Sequence, residues 1–221
     1  MTVLLVLLTF LTFLLIDHFS SRKPVVMQAA ARATERPPQL APSLVGGFSV
    51  PEKLRYHPGH TWALGESPTL VRIGMDEFAS KLTGKLEKIA LPQRGKWIRQ
   101  GQKIWTLYRN GTSVDMISPI EGSIVDINEA AMNDPEIARK DPYGEGWLVT
   151  VQSPDAKTNF RNLIGGAMAR WWTEESASRL QRHMPMALGA LAQDGGVAID
   201  NLSDQLPDQD WTTLTKEFFL S

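Results

Sequence analysis

Cysteine is absent from the 221 residues, so disulfides, thiolate metal sites and cysteine nucleophiles are excluded together. The redox compartment stays open, because a cysteine-free chain is tolerated in either setting. A large charge of one sign is also missing. The formal net charge is −1, too little for a global field that would hold nucleic acid. Histidine is scarce: His57 and His60 in "HPGH" suggest a metal pair, but zinc usually takes four ligands and no third nearby histidine completes the set. Lysine does not occur anywhere from Ile104 to Arg139.

What is present is unevenly placed. "MTVLLVLLTFLTFLLI" runs from Met1 to Ile16 without a charge. As a helix it would rise about 24 Å, short of a ~30 Å hydrocarbon core, with Phe19 extending it. No Lys or Arg precedes the run, and "AARA" at 30–33 lies too far on for a prompt cleavage site, so an uncleaved transmembrane anchor over residues 1–19 is expected. Residues 20–47 hold Arg22, Lys23, Arg32 and Arg36 against Glu35 and read as a Pro/Ala-rich basic linker. Positive charge on that side predicts a single-pass cell-membrane protein facing the cytoplasm, with membrane lipid as a partner through residues 1–19.

From about Phe48 to Ser153 the pattern changes to short strands punctuated by Gly and Pro. "TLVRIGM" (69–75) alternates; "DEFASKLTGKL" (76–86) sets Phe78, Leu82 and Leu86 at helical spacing behind Asp76 as N-cap. "KIALP", "KIWTLYR", "SVDMIS", "SIVDIN" and "WLVTVQ" continue the strands. Asn110-Gly111 between "KIWTLYR" and "SVDMIS" is a strong hairpin signal, because both turn residues adopt positive φ. Many short strands at close spacing argue for a sandwich or barrel.

Five stretches in order, "HTWAL" (60–64), "VRIGMDEFASKLTG" (71–84), "LPQRGKWIRQGQ" (91–102), "SPIEGSIVDIN" (118–128) and "NDPEIARKDPYGEGWLVTV" (133–151), resemble the H protein of the glycine cleavage system. The resemblance implies a mainly β fold with added helices, a lipoyl-type β-sandwich or hammerhead over 48–153. It also implies a tip lysine amidated by lipoate, four residues before an Asp. Counting back from Asp115 lands on Gly111, and the family's Glu-Ser-x-Lys becomes Tyr108-Arg109-Asn110-Gly111. Lys103 lies about 23 Å down the strand from Asn110 at ~3.3 Å per residue. Lipoate is the cofactor implied by the family, but its acceptor is missing, so no cofactor is expected.

Other groups have simpler structural roles. Asp134, Glu136, Asp141 and Glu145 fall in turns where Asp and Asn bond backbone amides. "GEG" at 144–146 is too short for a phosphate loop. Ser113 and Ser118 lack a triad context. Trp97, Trp105 and Trp147 are expected to pack the core. No catalytic or metal residue is expected, and the chain is read as no enzyme.

Residues 154–221 read as a helical extension. Phe160, Leu163, Ile164, Ala167, Met168 and Trp171 form one helical stripe, and Thr173 is a candidate cap for a second helix. That second helix would carry Ala177, Leu180, Met184, Leu188 and Leu191 until Pro185 kinks or ends it. The terminal "DWTTLTKEFFL" sets Trp211, Leu214 and Phe218 in line. With Arg109 beside the hairpin tip, these residues are the expected partner interface. The reading is a membrane-anchored, non-lipoylated H-protein-like docking subunit of a larger assembly. One alternative is a glycine-cleavage lipoyl carrier modified at an atypical lysine. Another is a periplasmic adaptor, a class that inserts a long helical hairpin into such a domain.

Overall fold

Alternation in "TLVRIGM" and "WLVTVQ" places Val71 and Ile73 opposite Val151 and Val149 on neighbouring antiparallel strands, all four buried. Such cross-strand β-branched pairs are the unit of sheet stability. The computed structural model describes residues 42–183, 198, 200, 202 and 208–220, which fall in one compact unit, Gln39–Ser221. Its strands are β1 (Pro42–Val45), β2 (Phe48–Pro51), β3 (Arg55–His57), β4 (Thr61–Gly65), β5 (Leu70–Met75), β6 (Lys88–Ala90), β7 (Trp97–Ile98), β8 (Lys103–Arg109), β9 (Thr112–Ile117), β10 (Gly122–Ile127) and β11 (Val149–Gln152). Its helices are α1 (Glu77–Thr83), α2 (Glu129–Asn133), α3 (Pro135–Lys140), α4 (Ala156–Arg161), α5 (Gly166–His183) and α6 (Asp208–Phe219).

One sheet has the order β3-β4-β5-β11-β10-β7 and a second the order β6-β8-β9, with β1-β2 a separate hairpin. The fold is mainly β with added helices, as the resemblance implies. α1 begins where expected: the Asp76 side chain accepts from the Ala79 N–H at 2.8 Å. Phe78 and Leu82 are buried in the main core with Ile89, Trp105, Leu107 and Met116. Trp62 is fully buried and donates from Nε1 to the carbonyls of Met75 and Pro142. Its indole lies over Gly74, where an added Cβ would come within 2.6 Å of the ring. Only glycine permits that approach.

Several expectations are corrected. Residues 42–45, placed in the linker by the sequence, form β1 and pair with β2. Trp97 is 49% exposed rather than in the core, because β7 is a two-residue edge strand. The stripe from Phe160 to Trp171 is divided. α4 ends at Arg161, Ile164 bridges to Tyr56, and α5 starts at Gly166. Met168 and Trp171 then point outwards, 60% and 61% exposed. Thr173 is buried mid-helix and caps nothing. Met184, Pro185, Leu188 and Leu191 lie outside the described residues, as do the anchor expected over 1–19 and most of the linker. Among the described residues no helix is long and apolar enough to cross a membrane. The β8–β9 connection is two residues long, with no helical hairpin inserted.

Candidate functional site

The β8–β9 hairpin follows from its sequence. Trp105, Leu107, Val114 and Met116 are buried on its inner face, and pairing proceeds as far as Arg109↔Thr112. Asn110 and Gly111 remain as the turn, with φ of 47° and 71°, the left-handed conformation of a two-residue type I′ connection. A Cβ added at Gly111 would meet nothing within 4 Å. The tip therefore stands in open space on a rigid ladder.

Its surroundings are polar and sparse. The Asn110 N–H donates to Glu87 Oε1 at 3.1 Å, and the Glu87 N–H donates to the Tyr108 carbonyl at 2.8 Å. Lys88, exposed on β6, pairs in register with Tyr108, which is itself 39% exposed. Lys103 sits at the other end of β8, ion-paired with Asp115 at 2.7 Å. No amine lies on the turn itself. A lipoyl group needs a lysine nitrogen for its amide, and Gly111 has no side chain, so the residues at the tip do not fit that cofactor.

Arg109 is held by the chain's own terminal helix. Its guanidinium lies 5.4 Å from the centre of the Trp211 ring, a cation–π contact. Trp211 packs partly buried against the core, while Leu214, Phe218 and Phe219 are buried within it. The Phe218 ring is 5.0 Å from that of Phe78. Leu214 and Phe218 are thus corrected from partner-interface residues to core residues. α6 is also tied to α5 through Glu217, which accepts from His183 at 2.9 Å.

His57, His60, Asp134, Glu136 and Asp141 have partners within the fold. His60, at φ 59°, is buried with Nδ1 2.8 Å from Asp76 Oδ2, and its ring stacks on Phe78 at 4.1 Å. His57 Nδ1 accepts from the Gly59 N–H. Burial, then the neighbouring His60, pushes the His57 imidazole below its ordinary value. Asp141 accepts from the N–H groups of Gly144 and Glu145 at 3.0 and 2.9 Å. Asp134 caps α3, and the Arg139 guanidinium holds Glu136 below the usual carboxylate range. Sequence reasoning missed Tyr143, whose hydroxyl donates to the Ser49 carbonyl and accepts from the Glu77 N–H. It also missed Lys88. Both depend on pairings between distant segments, which leave no local signal.

A family model described as "Glycine cleavage H-protein" matches residues 54–175. The chain belongs to the glycine cleavage H-protein family. It is 31% identical over 116 residues to a glycine cleavage system H protein of Psychrobacter sp. (strain PRwf-1), covering 52% of this chain and 91% of that one. A second relative, a glycine cleavage system H protein of Prochlorococcus marinus (strain NATL2A), is 33% identical over 117 residues, 53% of this chain and 90% of its own. A solved glycine cleavage system H protein from Mycobacterium marinum is 32% identical over 48% of this chain and 87% of its own, with a TM-score of 0.45. Members of the family work with partner proteins of the glycine cleavage system. The single-pass cell-membrane localisation read from the apolar run is overturned. The relatives are glycine cleavage system H proteins, and no spanning helix occurs among the described residues. α6 lies beyond the matched stretch yet packs upon it.

Proposed function

We propose that this H-protein family member is a non-catalytic docking module whose hairpin carries no lipoyl arm. The observation that supports the reading is the tip itself: Asn110 and Gly111 occupy the turn, no lysine occurs from Ile104 to Arg139, and by the resemblance the acceptor position would fall on Gly111. The scaffold that would present the arm is retained around it. Partner proteins would then recognise the folded face, including exposed Tyr108, instead of an acyl group. Intact-mass measurement of protein purified from its native host tests this. The expected mass is that of the unmodified polypeptide, and a lipoyl adduct on any residue overturns the reading.

Family membership favours a second reading, a lipoyl carrier modified at an atypical lysine. Lys88, opposite Tyr108 on the strand beside the tip, is the residue this reading points to. Peptide mapping decides between them. The carrier reading requires an acyl adduct that Lys88→Arg abolishes and that supports glycine–bicarbonate exchange.

A further inference from the structure

We propose that Asn110 is a self-modification site, at which the chain converts its own side-chain amide to a carboxylate at the hairpin tip. The Gly111 backbone nitrogen is the nucleophile and the Asn110 side-chain carbonyl carbon the electrophile. Attack forms the N–Cγ bond of a five-membered succinimide; the amide nitrogen leaves as ammonia after taking up a proton, and the peptide N–H proton is lost to water. Water then opens either imide carbonyl, giving aspartate or isoaspartate at position 110. No oxidant or other reactant is needed.

Four features of the structure favour this reaction at Asn110. The following residue is glycine, so no side chain shields the attacking nitrogen, and nothing lies within 4 Å of where a Cβ would be. Both turn residues are exposed. The Gly111 N–H is given no acceptor by the Arg109↔Thr112 closing pair, whereas the Asn110 N–H is engaged by Glu87 Oε1. Ring closure requires backbone rotation at Asn110, which lies beyond the last ladder pair, Arg109↔Thr112, and outside the buried residues Leu107 and Val114. Asn128, Asn159 and Asn162 are less exposed to this chemistry. Asn128 is buried and donates to the carbonyls of Glu145 and Trp147, while Asn159 and Asn162 precede Phe160 and Leu163.

The product changes the tip. A carboxylate at 110 would face Glu87, whose oxygen already binds the backbone there, and isoaspartate would lengthen a turn that now closes with two residues. Charge and shape would change irreversibly once ammonia has left and the imide has opened, at the hairpin tip where relatives are expected to present their lysine.

The test incubates the full chain under mildly alkaline conditions and follows each asparagine by peptide mapping, with isoaspartyl methyltransferase labelling as a second readout. Asn110 is expected to lose its amide at least about tenfold faster than Asn159 and Asn162, and Gly111→Ala to slow it by about tenfold, a barrier change of ~1.4 kcal/mol. The other asparagines of the same molecule report whether the variant remains folded. Conversion of Asn110 no faster than Asn159 and Asn162, or at an unchanged rate in Gly111→Ala, overturns the proposal.

Discussion

Two turns of this chain are built in opposite ways. The Asp141–Gly146 turn uses its polar atoms internally: the Asp141 carboxylate binds two N–H groups, its carbonyl accepts from Gly146, and Tyr143 joins β2 to α1. Asn128 reaches across to the carbonyls of Glu145 and Trp147. Added Cβ atoms at Gly144 and Gly146 would strike Asp141 at 2.2 and 2.5 Å. The Asn110-Gly111 turn is tethered to Glu87 through the Asn110 N–H, with open space around Gly111. The first turn is required by the fold; the second is presented by it. A residue at the second turn can therefore change with little consequence for the scaffold, since an added Cβ at Gly111 would meet nothing within 4 Å.

The largest effect is expected where α6 seals the core. Phe218→Ala removes a fully buried ring that meets Phe78, His60 and Arg179, and should cost about 3–5 kcal/mol in denaturant unfolding. A loss within a few tenths would return α6 to the role of an external docking helix. Asp141→Ala comes next: two solvent-exposed N–H groups lose their carboxylate acceptor, at about 0.5–1.5 kcal/mol for each bond. Equal insensitivity in the two turns would erase the contrast between them.

Gly111→Lys should cost only about 1–2 kcal/mol, the penalty of placing a side-chain-bearing residue in the left-handed region. The same variant should remain a poor substrate for a lipoate ligase, since Tyr108 and Arg109 also depart from the family's pattern. Robust modification in vitro would show that the lysine alone had been lost.

The smallest effect concerns pH. The folded protein holds His57 below its ordinary value, so folding favours the neutral imidazole. That contribution is fully present above the unfolded value, near ~6.5, and is lost as pH falls through the folded one. Thermal midpoints should therefore decline on the acid side of neutrality, and less steeply in His57→Gln. Identical acid slopes in the two proteins would remove His57 from the account.

Much of this was legible in the chain. Alternation located β5, short runs punctuated by Gly and Pro located β8, β9 and β11, Asp76 announced α1, and Asn110-Gly111 named its own turn, because each signal is local. The absence of lysine from Ile104 to Arg139 likewise emptied the tip without reference to any fold. Tertiary structure decided the rest. The stripe of Trp211, Leu214 and Phe218 is equally suited to a partner or to the chain itself. Only the groove beside Phe78 and His60 made it core. Trp97 was hydrophobic enough to bury, but an edge strand of two residues offered no second layer to cover it. Periodicity reports which face of an element is apolar; what that face meets depends on segments brought together from far along the chain.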